Sequence, residues 1–204
     1  MQSFSEIETT SKRASKAAGF SWGIAEEVGK NIRNLEMFGL PGIKNLSLYF
    51  KKIKKKPSEK IDKIEKKNKP KSKELCPIYC GTAFLDCCKK LESFKLIKFF
   101  NVSYPLLLLP FLSRASDIIG KKISVKYDKN NFLLNYDKTV FSTNSNNNQI
   151  ISKTKEISIT FIENNNLFSL KEWKELYKLS EETFVKESES LKIKGAGAGL
   201  TDND

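Results

Sequence analysis

An α+β fold is predicted by three features of this chain. Overlapping capping-box patterns open it, β-rich segments bounded by turn residues fill its middle, and another capping box stands near its end. The expected architecture is a single domain over 1–204, with helices at both ends packed around a short, mainly antiparallel sheet. A chain of this length buries roughly 70% of its unfolded surface, so it needs neither disulfides nor a metal to hold a core.

The patterns Ser3-x-x-Glu6 and Ser5-x-x-Glu8 start a first helix that runs toward Ala18 and stops at Gly19. Ser21 caps a second helix, in which Ile24, Val28, Ile32 and Leu35 recur as one apolar face while Ala25 and Gly29 leave room for close packing. Gly39 ends it before the Pro41-Gly42 turn, and a third helix is predicted over 43–53 with Ile43, Leu46 and Phe50 inward. The stretch 55–73 is rich in lysine and poor in apolar residues, which predicts a mobile linker or loop. Beyond it the pattern predicts a helix over 82–91, a strand over 94–102 and a buried helix over 105–119 that begins at a proline. Residues 123–127 and 132–136 read as a hairpin, 143–149 as a polar loop and 157–162 as a strand. Ser169-x-x-Glu172 opens a helix with an apolar stripe of Trp173, Leu176 and Tyr177; a last helix over 181–191 and a flexible Gly/Ala acidic arm over 195–204 follow.

Charge is unevenly spread. Between Lys51 and Lys73 twelve lysines face only Glu59, Asp62 and Glu65, which accounts for most of the formal net charge of +12. This run has almost no aromatics for stacking on bases, and the nearest arginines are Arg33 and Arg114, so nucleic-acid binding through it is the weakest of three function classes. Histidine is absent, which removes Ser-His-Asp and Cys-His catalysis and His-containing zinc sites. Acid–base chemistry falls to Glu, Asp, Lys, Tyr or Cys. Cys76, Cys80, Cys87 and Cys88 lack the paired C-x2-C spacing of zinc knuckles and read as small hydrophobes, with Cys76 a weaker candidate nucleophile. No metal site and no particular cofactor is indicated. The first thirteen residues carry Glu6 and Glu8 rather than an apolar run, and 94–112 is broken by Lys95, Lys98, Asn101, Pro105 and Pro110, so neither a secretory leader nor a membrane span is expected and the location is read as cytoplasmic.

Two segments stand out as functional candidates. Residues 17–30, Ala-Ala-Gly-Phe-Ser-Trp-Gly-Ile-Ala-Glu-Glu-Val-Gly-Lys, place Trp22 beside Glu26 and Glu27; residues 195–204, Gly-Ala-Gly-Ala-Gly-Leu-Thr-Asp-Asn-Asp, present Thr201, Asp202, Asn203 and Asp204 on a glycine-spaced arm. Together they resemble a bacterial family catalogued only as a domain of unknown function, over 3–42 and 183–204, with a weaker likeness at Cys76-Pro77, Gly81 and 106–111. Ser5 and Lys186 depart from the family pattern, where Asn and Pro are expected, and the resemblance implies no activity.

Physically, Glu26 and Glu27 suit the first turns of a helix whatever else they do, and Trp22 suits a core. The functional alternative makes Trp22 a wall beside an acidic pair, and the carboxylates of Asp202 and Asp204 a partner for a cation or a basic surface. The expected function is an accessory or small-molecule-binding protein of metabolism acting through Trp22, Glu26, Glu27 and residues 201–204. The alternative is an enzyme using Glu26, Glu27 or Asp202 as acid and base. A protein partner or a small molecule is expected in either case.

Overall fold

The computed structural model describes residues 2–54, 56, 59–61, 63–71, 73–143 and 150–184. It divides into two compact units, Met1–Asn164 and Asn165–Asp204, where the sequence suggested one. The first unit is α+β. Helices α1 (Phe4–Ala17), α2 (Trp22–Met37) and α3 (Gly42–Ile53) come first, followed by strand β1 (Lys67–Asn68) and helix α4 (Pro77–Leu91). Strand β2 (Leu96–Ser103), helix α5 (Leu109–Ile119) and strands β3 (Lys122–Tyr127), β4 (Asn130–Asn135), β5 (Thr139–Ser142) and β6 (Lys153–Ile162) complete it. The second unit contains α6 (Leu170–Glu181).

The three N-terminal helices are held by their turns and by glycine. Ser3 and Ser21 accept hydrogen bonds from the Glu6 and Ile24 N–H groups, the N-caps their positions predict. The chain reverses between α1 and α2 at Gly19, with φ of 101°. Val28, Ile32 and Leu35 are buried as their spacing requires. A Cβ on Gly29 would lie 2.7 Å from the Glu8 carbonyl oxygen, and one on Gly42 would lie 2.8 Å from Leu35 Cβ, so both neighbours of α2 approach to backbone distance. In α3 the inward face is Leu46, Tyr49 and Ile53, while Ile43 is exposed. This corrects the predicted face: the helix is turned so that the buried Tyr49 hydroxyl reaches Cys76 Sγ at 2.9 Å.

The sheet has six strands in the order β1-β2-β6-β3-β4-β5, antiparallel except for the β1–β2 pair. Alternate residues on its strands are buried, Ile123, Val125 and Tyr127 on β3 and Ile157, Ile159 and Phe161 on β6 among them. Phe84 of α4 stacks on Phe161 at a ring separation of 6.2 Å. The helix predicted over 105–119 starts instead as a 3₁₀ turn, Pro105–Leu108, and becomes α-helical at Leu109. Pro110 explains the break, since a proline deep inside one long helix would remove a backbone hydrogen bond and clash with the preceding turn. Strand β5 was not anticipated. The loop predicted over 143–149 lies outside the described residues from 144 onward, and so does the helix predicted over 181–191 from 185 onward.

Two described residues of the lysine-rich stretch join this sheet. β1 lies within that stretch, Ile64 is 5% exposed, and the buried Asn68 side chain bonds to the backbone of Glu65 and to the Lys98 carbonyl at 3.0 Å. The described part of 55–73 is therefore an edge strand with its approach. Lysines suit such an edge, because their charge discourages another strand from pairing there. Deleting 55–71 is accordingly expected to lower the urea midpoint of unfolding; an unchanged midpoint would show that β1 and Ile64 add nothing to the core.

In α6 a full capping box is present, Ser169 Oγ accepting from the Glu172 N–H at 3.2 Å and the Glu172 carboxylate from the Ser169 N–H at 2.6 Å. Its Trp173, Leu176 and Tyr177 stripe is exposed, with Phe168 stacked on Trp173.

Helices α4 and α5 cross closely at Gly81. A Cβ there would fall 2.3 Å from the buried Phe111 ring, so α4 and α5 meet through a missing side chain. Gly81→Ala is expected to cost about 1–3 kcal/mol in urea unfolding through overpacking. Gly23→Ala, at a helical site with nothing within 4 Å, should be neutral or stabilising. Equal effects at the two sites would contradict the crossing geometry.

Candidate functional site

The N-terminal motif sits where the α1–α2 turn places it. Ser21 starts α2, and Trp22 in its first turn is 55% exposed, so it is not core. Its ring faces the ammonium groups of Lys16 at 5.5 Å and Lys12 at 5.9 Å. Lys12 also pairs with Glu26 at 2.5 Å. The two glutamates diverge: Glu26 meets α1, whereas Glu27 accepts from Arg114 of α5 and from Lys30 at 3.2 Å. The hydrogen bond and charge of Lys12 lower the pKa of Glu26. Burial pushes Glu27 up, but the hydrogen bond and charge of Arg114, with help from Lys30, bring it below the ordinary value. The cationic partners thus favour the ionised form of both groups.

A polar seam that sequence spacing did not suggest joins these helices to the sheet. Residues 135–138 form a tight β-turn between β4 and β5, with φ of 52° at Tyr136 and 53° at Asp137 and a Lys138 N–H to Asn135 carbonyl bond of 3.1 Å. The Ser116 hydroxyl of α5 donates to the Lys121 carbonyl and accepts from the Tyr136 N–H, pinning that turn. The turn carries Asp137 to Asn34 of α2, whose Nδ2 is 3.4 Å from both carboxylate oxygens. Arg114 donates to Glu27 and, at 3.4 Å, to Asn31 Oδ1; the buried Asn31 Nδ2 has no partner among the described residues. Burial raises the Asp137 pKa, against the pull of the Ser113 hydroxyl and the Arg114 and Arg33 charges, with Asp117 adding to the rise.

Between α1 and α3, which both pack on α2, lies a groove of about 800 Å³. One wall is α1, with Thr10, Ser11, Ala14 and Ala17; the other is α3, with Leu46, Ser47 and Phe50. Glu6 stands at one end of α1, and Lys51 and Lys54 stand at the end of α3. The Phe20–Phe50 ring contact of 6.1 Å brings the end of α3 beside the end of α1, so the carboxylate and the two lysines are toward opposite ends of the groove. Sequence reasoning missed this site because its residues read locally as ordinary helix.

Cys76 is fully buried at the N-cap of α4, burial raises its pKa to about 11, and all four cysteines are free. Among the described residues no cluster of three or more Cys, Asp or Glu could hold a metal ion. No described helix is long and apolar enough to cross a membrane. The candidates Thr201, Asp202, Asn203 and Asp204 lie outside the described residues.

The geometry thus defines an α+β unit whose three-helix N-terminal layer carries both a charged motif and an apolar groove. Residues 2–75, which span that layer and reach the edge strand, match a family described as "Protein of unknown function (DUF3726)". The match includes the motif around Trp22 and does not extend to the one at 195–204. No curated protein and no solved structure matches the chain.

Asp137 and Glu27 give opposite pH responses. The raised Asp137 pKa means that the folded state holds that proton more tightly than the unfolded chain does. Its contribution is therefore most favourable below the ordinary aspartate value of 3.8 and is lost as pH rises through its raised folded pKa. The lowered Glu27 pKa contributes stability above the ordinary value of 4.5 that is lost as pH falls through its folded pKa. Asp137→Asn is expected to raise the melting temperature at pH 7 and to flatten its decline on going from pH 4 to pH 6. A lower melting temperature at pH 7 would show that the charge of Asp137 is net favourable.

Proposed function

We propose that this protein is an accessory, small-molecule-binding protein, with the groove between α1 and α3 as its ligand site. The observation that carries the proposal is the groove itself: about 800 Å³, walled by apolar and small side chains, with charged groups only at its ends. Sites for small organic ligands have this size and this balance of surface. The alternative, an enzyme working through Glu26 or Glu27, is less supported because lysine and arginine partners hold both carboxyls ionised. Binding requires shape and complementary charge, whereas histidine-free catalysis requires a carboxyl tuned toward neutrality. Trp22, exposed among Lys12, Lys16 and Glu26, belongs in the proposal as the contact for a protein partner. A cytoplasmic location belongs to it too, supported by four free thiols. Nucleic-acid binding is least favoured, since the lysines of 66–69 flank an edge strand whose protection already accounts for them.

The test uses N-phenyl-1-naphthylamine, a neutral apolar dye whose fluorescence rises on leaving water. The parent protein is expected to bind it saturably. Ala14→Phe, which fills the groove from the α1 wall, should abolish the signal with an unchanged far-UV spectrum, and Ser47→Phe should do the same from the α3 wall. No binding by the parent, or undiminished binding by both variants, would overturn the groove as a ligand site.

A further inference from the structure

We infer that the groove between α1 and α3 takes a long-chain carboxylic acid, its chain along the apolar walls and its carboxylate at Lys51 and Lys54; this rests on the ligand-binding reading above. The inference begins with shape. From Glu6 to Ala17 the α1 wall runs eleven residues, about 16 Å at the helical rise of 1.5 Å per residue. Along it the side chains are short at Thr10, Ser11, Ala14 and Ala17, so the trough is elongated and smooth on that side. A narrow, unbranched apolar chain fits such a trough, and each buried methylene adds to affinity in proportion to the surface it hides. A second copy of the protein does not fit, because a concave surface cannot pack against itself.

Charge decides what the ligand carries at its end. Lys51 in the last turn of α3 and Lys54, the left-handed residue that caps that helix, both line the groove, and both are exposed. Lys52, between them in sequence, is turned away and pairs with Glu74. Among the described residues Lys51 and Lys54 form no ion pair, so their positive ends are open to a ligand anion. At the far end of α1, Glu6 repels an anion. The groove therefore has an electrical direction, favouring a ligand with one anionic head and an uncharged tail in a single orientation. A neutral lipid would leave the lysines unused, and a long-chain amine would meet them head-on or lie reversed against Glu6.

Displacement of the neutral dye separates the head-group assignment from the groove itself. Hexadecanoate should displace the dye at a lower concentration than methyl hexadecanoate, which keeps the chain and lacks the charge. The Lys51→Gln/Lys54→Gln variant, altered only at exposed positions, should still bind the dye and the ester as the parent does, while its affinity for hexadecanoate falls by about tenfold, the effect of losing two partly exposed charge contacts. High salt should weaken the acid and spare the ester. If the ester competes as well as the acid, or if the double variant keeps its affinity for the acid, the carboxylate assignment is overturned while dye binding still upholds the groove. If the parent binds neither dye nor acid, the groove and the assignment fall together.

Discussion

The close approach of two helices to α2 is the constraint on which the N-terminal layer depends. Glycine at 29 lets α1 come within contact of the α2 backbone, and glycine at 42 lets the start of α3 sit against Leu35. A side chain at either position would sit closer than van der Waals contact and force its neighbour to shift. Because α1 and α3 are both committed to α2, the space between them is closed at its base. The groove is thus a consequence of packing around a shared helix and not of a loop that could collapse.

Charge then ties this layer to the rest of the unit. Glu26 and Glu27 are adjacent in sequence but about 100° apart around α2, so one reaches Lys12 on α1 and the other Arg114 on α5. A tight turn delivers Asp137 to the same side of α2 through Asn34. The seam mixes a carboxylate held low by an arginine with one raised by burial, and it links α2 to α5 and to the β4–β5 turn. It also explains why an acidic pair that looks catalytic in the sequence is largely occupied by cationic partners.

Much of the helical layer was legible from residues alone. The N-caps at Ser3, Ser21 and Ser169, the stop at Gly19 and the apolar spacing of Val28, Ile32 and Leu35 are local features, set by hydrogen bonds and periodicity within a few residues. The hairpin of β3 and β4 was legible for the same reason. Less visible were the inward turn of Tyr49, which answers to Cys76 across twenty-seven positions, and the place of Lys67 and Asn68 in a sheet, where one buried Asn outweighs a lysine-rich surrounding. Strand β5 escaped because four residues carry too short an alternation to read.

Composition and short-range spacing were enough to set the α+β class, the boundaries of the first two helices and the exclusion of histidine chemistry. Tertiary structure alone decided that Trp22 is exposed, that Glu27 belongs to Arg114, that Asp137 sits in a half-buried seam and that α1 and α3 frame a groove ended by Glu6 and by Lys51 and Lys54. Each of those depends on side chains from elements far apart in the chain, and the energy of such contacts is set by distance and burial, neither of which local sequence encodes.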